Sequence, residues 1–217
     1  MKLRYDIAQN SEEWYDIKLG KFSASIAGDL LMDKKNKGYS NLIKKISEER
    51  MTGEACESNS FKGNAFTERG HEFEPIARED YEIRTFNEVK IIGVIERDDW
   101  CLCSPDGLID DNGLHQIKCP IFNTQSEYLY TYNKYKDTLT ANELMCKISS
   151  TYYKQMQFEL FVSEREYNIF TSYHPKLAAI DIIITRDEDM LRAIEYRLIE
   201  AKEEVVKRIE LLKSYKN

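Results

Sequence analysis

Apolar residues recur at helical spacing in some stretches of the chain and gather into short β-branched runs in others, which divides it into helices and strands. Ser11, followed by Glu12, Glu13 and Trp14, reads as a helix start. A serine side chain satisfies free backbone N–H groups, and acids favour the positive end of the helix dipole. Leu19-Gly20 ends this helix. A second helix is predicted over Ser23 to Met32, capped by Ser23 or Ser25, and a third over Tyr39 to Met51, with Leu42, Ile43 and Ile46 on one face. From Asn64 to Ile83 the spacing of Phe66, Phe73, Ile76, Ala77 and Tyr81 suits a longer helix. Pro75 predicts a kink there, or a start near Glu74, because proline deletes a backbone hydrogen bond.

The pattern then changes. Val89 to Ile95 is rich in β-branched residues, Trp100 to Cys103 is short and apolar, and Leu114 to Lys118 lies between Asn112-Gly113 and Pro120. These read as consecutive strands of one meander, with Asp111-Asn112-Gly113 as a tight turn. Tyr152, Met156, Leu160 and Phe161 return to helical spacing, strands follow over Tyr167 to Ser172 and Asp181 to Thr185, and an amphipathic helix closes the chain from Glu188 to Leu212. Its apolar stripe is Leu191, Ile194, Leu198, Val205, Ile209 and Leu212. The order predicts an α/β (α+β) fold, a central mixed β-sheet flanked by helices.

At 217 residues and 42% hydrophobic content the chain suits one domain, 1–217, with one substantial core. No run approaches the roughly 20 apolar residues of a membrane span, and Met1 to Ser11 lacks a signal core, so a soluble cytoplasmic protein is expected. Cys56, Cys101, Cys103, Cys119 and Cys146 form neither a disulfide framework nor a zinc pair, and are expected as buried or half-buried thiols of a reducing compartment. The net charge of -7 argues against a globally basic nucleic-acid binder, although a local basic groove is invisible in a sum. The runs Lys34-Lys35-Asn36-Lys37 and Lys44-Lys45 read equally well as basic patches or as solvated faces.

The chemistry gathers in Ser104-Pro105-Asp106-Gly107-Leu108, followed ten residues after the aspartate by Gln116-Ile117-Lys118-Cys119-Pro120. Positions two apart on a strand share a face, so Gln116 and Lys118 project together while Ile117 points into the core. A neighbouring strand across the turn brings Asp106 beside them. Two oxygen ligands and an ammonium group meeting at one point suit phosphodiester cleavage. Hard oxygens hold Mg²⁺, the ion lowers the pKa of a bound water, and lysine orients or deprotonates that water. The backbone carbonyl of Ile117 offers a further ligand.

The string SPDGL, a hairpin and (E/Q)IKCP resembles the active-site signature of the lambda-exonuclease branch of the PD-(D/E)XK nucleases. Three further segments match in order: Trp14 with Lys18-Leu19-Gly20 and Ser23-Ala24-Ser25; Gly70-His71-Glu72-Phe73-Glu74-Pro75; and Tyr152 with Gln155-Met156-Gln157. The resemblance covers Trp14 to Pro175. It implies a restriction-endonuclease-like core with Asp106 as central metal ligand, Lys118 as catalytic lysine, Glu74 as helix-borne ligand and Gln155 as the residue that positions lysine, water or phosphate. Lys18, Ser23 and Ser25 would lie where the family binds a terminal 5′-phosphate, with Ser25 near a helix N-terminus that favours an anion. The family usually has arginine at the Lys18 position, so a bidentate clamp is replaced by a point charge. The implied activity is 5′-to-3′ exonuclease digestion of linear double-stranded DNA, with Mg²⁺ or in its place Mn²⁺, by a ring-shaped homotrimer partnered by a single-strand annealing protein. Its location would be the host-cell cytoplasm if phage-encoded. A DNA-end-binding module without cleavage and a structure-specific endonuclease are the alternatives.

Gln116 departs from the family's glutamate. It keeps the shape and one oxygen donor but removes a negative charge from a cation site, which weakens metal binding. An engineered substitution that traps substrate, a natural variant working with Asp106 and Glu74, and a degenerate site all remain open. His71, His115 and His174 are too dispersed for zinc, and His115 faces away from Gln116. Tyr128, Tyr130, Tyr132 and Tyr135, interleaved with Lys134 and Lys136, suit either stacking on frayed bases or packing on the sheet.

Overall fold

The computed structural model describes residues 1–56 and 65–215, with only the backbone described over 65–68. β1 (Lys2–Arg4) leads to α1 (Glu12–Asp16), where the Ser11 hydroxyl accepts the Trp14 N–H at 3.2 Å as expected of a cap. The stretch expected as one helix from Ser23 to Met32 is instead β2 (Phe22–Ser23), a 3-10 turn (Ala24–Ile26) and the short α2 (Ala27–Leu30). Phe22 is fully buried and its N–H donates to the Trp100 carbonyl at 2.7 Å, so sheet pairing overrides helical spacing here. Neither turn has a side-chain cap, which corrects the roles expected for Ser23 and Ser25.

α3 (Lys37–Thr52) buries Leu42, Ile43 and Ile46 as predicted. α4 (Ala65–Thr85) runs through Pro75 and does not start at Glu74. The helix tolerates the proline because Pro75 and His71, whose carbonyl loses its partner, are both exposed to water. The expected start at Asn64 and the side chain of Phe66 lie outside the described residues.

Five strands follow: β3 (Val89–Lys90), β4 (Val94–Glu96), β5 (Cys101–Cys103), β6 (Gly107–Ile109) and β7 (Gly113–Lys118). They do not form one meander. Between β3 and β4 the chain crosses from one sheet to another at Ile91-Ile92-Gly93, and β6 is a strand that apolar spacing did not reveal. After β7 come α5 (Phe122–Tyr135), α6 (Ala141–Ile148, closed by a Thr140/Glu143 capping box) and α7 (Ser150–Ser163). The hairpin of β8 (Tyr167–His174) and β9 (Leu177–Thr185) then leads into α8 (Glu188–Ser214). On α8 the apolar stripe is buried from Leu191 to Val205 and runs out towards Leu212, which is exposed.

The sheets have the orders β1-β4-β5-β2 and β3-β6-β7-β8-β9; the larger is mixed, antiparallel throughout except at β7–β8. One face of the larger sheet packs Ile109 and Ile169 against Tyr81 of α4, and the other packs Phe170, Ile180 and Ile182 against Met145 of α6 and Met156 of α7. α7 is central, because its Phe158, Leu160 and Val162 also enter the core shared with α2, α3, β5 and α8. Burying both sides of this helix explains its lack of a single apolar stripe. Among the described residues no disulfide forms; Cys101 and Cys103 are buried, but Cys146 is exposed, contrary to expectation. No described helix is long and apolar enough to cross a membrane.

Candidate active site

The β6–β7 hairpin sets the geometry. Its loop turns on Asp110, at φ 43°, whose carboxylate accepts the N–H groups of Asn112 (2.7 Å) and Gly113 (3.1 Å). The register Gly107↔His115 then brings Asp106, the residue before β6, opposite Gln116. The Gln116 Nε2 donates to Asp106 Oδ2 at 2.5 Å and the Ile117 backbone N–H donates to the same oxygen at 2.6 Å. Lys118 lies on the Gln116 face with its ammonium 5.2 Å from the centre of the Tyr152 ring, while the Ile117 side chain is buried. Glu74 arrives from α4. Arg78, one turn on, donates to its carboxylate at 2.6 Å and to the Asp106 carbonyl at 3.4 Å, which ties the helix to the hairpin. Glu74, Asp106, Ile117, Lys118 and Tyr152 thus line one cavity of about 360 Å³. A larger cavity, about 780 Å³, lies between α3 and α8 and contains none of the predicted catalytic residues.

Burial raises Asp106 above its usual range against the opposing pull of Lys118. Glu74 is pushed up to about 7 by burial and then by the charge of Asp106, with Arg78 and Lys118 resisting. Two carboxylates that crowd each other in a half-buried cavity suit a divalent cation, which would relieve both burdens. The donors at hand are hard oxygens from Asp106 and Glu74, the Gln116 amide and the Ile117 carbonyl, and they fit magnesium or manganese rather than zinc. Among the described residues no cluster of three His, Cys, Asp or Glu side chains gathers, and at this site a glutamine stands at position 116 beside Asp106. Its amide turns an N–H to Asp106 and its oxygen to Gln155, whose Nε2 donates at 2.9 Å.

Three residues at the site escaped the sequence reading: Arg78, Glu159 and Asn168. Gln155 Nε2 also donates to Glu159 Oε1 at 2.9 Å, and Asn168 Nδ2 donates to Glu159 Oε2 at 2.7 Å. Glu159 is fully buried and pushed up to about 7 by that burial. The pairs Glu74/Arg78 and Gln155/Glu159 stand four apart on helices, a spacing that could have revealed them.

The N-terminal motif reaches the same region through Trp14. Its indole N–H contacts the Ser104 hydroxyl at 3.0 Å and the Gly93 carbonyl at 3.3 Å, two residues from Asp106 in sequence on the Ser104 side. The Lys18 ammonium lies 3.4 Å from the centre of the Trp14 ring, and burial, helped by the charge of Lys45, pushes it down to about 8. The Ser23 and Ser25 hydroxyls lie 3.1 Å apart, and no described hydrogen bond joins either to Lys18. The helix expected over Ser23 to Met32 is only a 3-10 turn and α2, too short for an appreciable dipole near Ser25. His115 faces away from Gln116 as expected: its Nε2 meets Thr171 Oγ1 at 2.7 Å, its ring lies 4.3 Å from that of Tyr81, and burial pushes it down to about 4. On α5, Tyr128, Tyr132 and Tyr135 pack against the core, whereas Tyr130 is 65% exposed.

The chain is similar to exonucleases of known structure. A crystal structure of an alkaline exonuclease, LHK-Exo, from Laribacter hongkongensis matches with a TM-score of 0.78 and 30% identity over 94% of this chain and 97% of that one. Its complex with dAMP matches with a TM-score of 0.78 and 29% identity over the same shares, 94% and 97%. A phage related exonuclease from Haemophilus somnus 129PT shares the fold, with a TM-score of 0.65 and 15% identity over 88% of this chain and 96% of that one. No curated protein matches. The family described as the YqaJ-like viral recombinase domain matches residues 13–166, a span that contains all four motifs up to Gln157. The chain belongs to the YqaJ-like viral recombinase domain family.

Proposed function

We propose that this protein is a metal-dependent deoxyribonuclease, a 5′-to-3′ exonuclease that digests one strand of linear double-stranded DNA and leaves a 3′ single-stranded tail for recombination. The convergence of Asp106, Glu74 and Lys118 on one cavity carries this reading. The family and the similarity to an alkaline exonuclease support it. A magnesium or manganese ion held by Asp106, Glu74, the Gln116 amide and the Ile117 carbonyl would supply a polarised phosphate and an acidified water. The chain's own groups do the rest. Lys118, steadied over Tyr152, orients the attacking water and shares the phosphate charge; Arg78 keeps Glu74 turned to the cavity; Gln155 fixes the side chain at position 116. Lys18, Ser23 and Ser25 are the groups for a terminal 5′-phosphate, with Lys18 as a point charge. A ring-shaped homotrimer and a single-strand annealing partner complete the proposal.

One observation favours a second reading, a module that grips duplex ends without cutting them: the Gln116 N–H faces Asp106, where a cation needs an acceptor. Digestion of 5′-labelled and 3′-labelled linear duplex with Mg²⁺, beside covalently closed circles, separates the possibilities. Gln116→Glu is expected to cut linear ends from the 5′ side at least about a hundredfold faster than the chain as it stands, and to spare circles. Equal rates would mean that position 116 is misassigned. Nicked circles would indicate an endonuclease, and end binding without cleavage by both proteins would favour the second reading.

A further inference from the structure

We propose that Glu159 is a positioning residue which, acting through Gln155, decides which atom of the side chain at position 116 faces the metal pocket. The proposal rests on the reading of Asp106, Glu74 and position 116 as that pocket. A continuous hydrogen-bond chain runs from the core to the cavity: Asn168 to Glu159, Gln155 to Glu159, Gln155 to Gln116, and Gln116 to Asp106. Two amides therefore lie between two carboxyl groups. An amide has a donor end and an acceptor end, and its orientation follows from its partners. Gln155 spends both hydrogens of its Nε2, one on Glu159 Oε1 and one on Gln116 Oε1, each at 2.9 Å. Gln116 has accepted with its oxygen and can only give its own N–H to Asp106.

Turning Gln155 over would set its oxygen against Glu159 Oε1, two acceptors in a buried place, which costs the desolvation of both. Protonation of Glu159 releases the lock only where the proton sits on Oε1, so cation binding is measured above the range in which Glu159 titrates. The Asn168 Oδ1 is buried without a partner, so with Asn168 turned over it can take a proton carried on Glu159 Oε2, and Oε1 remains an acceptor. The same polarity suits a glutamate at position 116. One carboxylate oxygen would take the Gln155 N–H and the other would face the cation. The network is thus built for an acceptor at position 116, and glutamine presents its donor end instead.

Glu159→Gln keeps the shape of the side chain but can either donate to Gln155 or accept from it, so both polarities become available. The test is Mg²⁺ and Mn²⁺ titration, by calorimetry and by the cation-induced rise in melting temperature, of four proteins: the chain as it stands, Glu159→Gln, Gln116→Glu and the double variant. In the Gln116 background Glu159→Gln is expected to tighten cation binding about tenfold. In the glutamate background it should leave binding unchanged or weaken it. Loss of a nearby negative charge, or damage to packing, would weaken binding in both backgrounds, so a change of the same sign in both overturns the proposal. Failure of Gln116→Glu to bind cations more tightly than the unaltered chain would instead refute the pocket itself. Gln155→Met, at a half-buried position, serves as a second release of the lock should Glu159→Gln fold poorly. It too must tighten binding with glutamine at position 116, and no gain there would count against the proposal.

Discussion

Glu74 and Glu159 are held away from water, and burial raises each from its ordinary value of 4.5 to about 7. Arg78 and Lys118 resist the shift at Glu74, while Gln155, Asn168 and Lys118 resist it at Glu159. Between pH 4.5 and 7 the folded protein therefore keeps two protons that the unfolded chain has released. Their contribution to stability falls as pH rises through that window, and is lost above it. His115, pushed down to about 4, works in the opposite direction, because unfolding lets it bind a proton below about 6.5. The net slope mixes both signs, and the comparison that isolates the acid is with Glu159→Gln. Urea unfolding of the metal-free protein between pH 4.5 and 7.5 should lose up to about 3 kcal/mol more than the variant does over the same range. Mg²⁺ added at pH 7.5 should recover the part due to Glu74 and not the part due to Glu159. Parallel pH curves for the two proteins would show that Glu159 is not held neutral by its surroundings.

Elements with one buried stripe were legible in the sequence, and those shaped by pairing between distant strands were not. α3, the hairpin turn before β7 and the start of α8 stand where the pattern put them, because local spacing and local turn chemistry determine each. The run from Val89 to Ile95 concealed a crossing between sheets, since β-branched composition does not say which neighbour a strand will find. In the same way Asp106, Gln116, Lys118 and Glu74 could be named from motif and spacing, and the structure brings them together. Glu159 could have been found only by its spacing of four from Gln155, and Asn168 not at all, because its importance lies in a contact between α7 and β8. The sheet crossing also makes a sharp prediction. A Cβ on Gly93 would lie 1.9 Å from the carbonyl oxygen of Ile7, a backbone atom that cannot swing aside. Gly93→Ala should cost at least about 4 kcal/mol or prevent folding, as measured by thermal unfolding. A near-normal melting temperature would mean that this close approach of the segment after β1 to the crossover is wrong.

Across the whole molecule, a net charge of -7 requires that DNA meet a local rather than a global positive field. Many cations are already committed: Lys21 pairs with Glu96, Lys34 with Glu200 and Glu204, and Lys202 with Asp98. At the far end of α5 the situation differs. Lys134 lies 5.1 Å from the Tyr135 ring centre, Lys147 lies 4.5 Å from the same ring, and Lys136 lies 5.8 Å from that of Tyr132. Among the described residues none of the three forms an ion pair within 4.0 Å. α5 also contributes Thr124 and Tyr128 to the wall of the active-site cavity, so it leads from the chemistry to this basic corner. A helix of its length spans about 20 Å, or roughly six base pairs of duplex. The proposed ring of three copies would require such basic corners to face its channel. Reversing Lys134 and Lys136 to glutamate should therefore lower affinity for a duplex end about tenfold at low salt and reduce the salt slope by about two, with the melting temperature unchanged. Fluorescence anisotropy over a range of salt concentrations measures both quantities. Unaltered affinity and slope would mean that DNA leaves the cavity by another path.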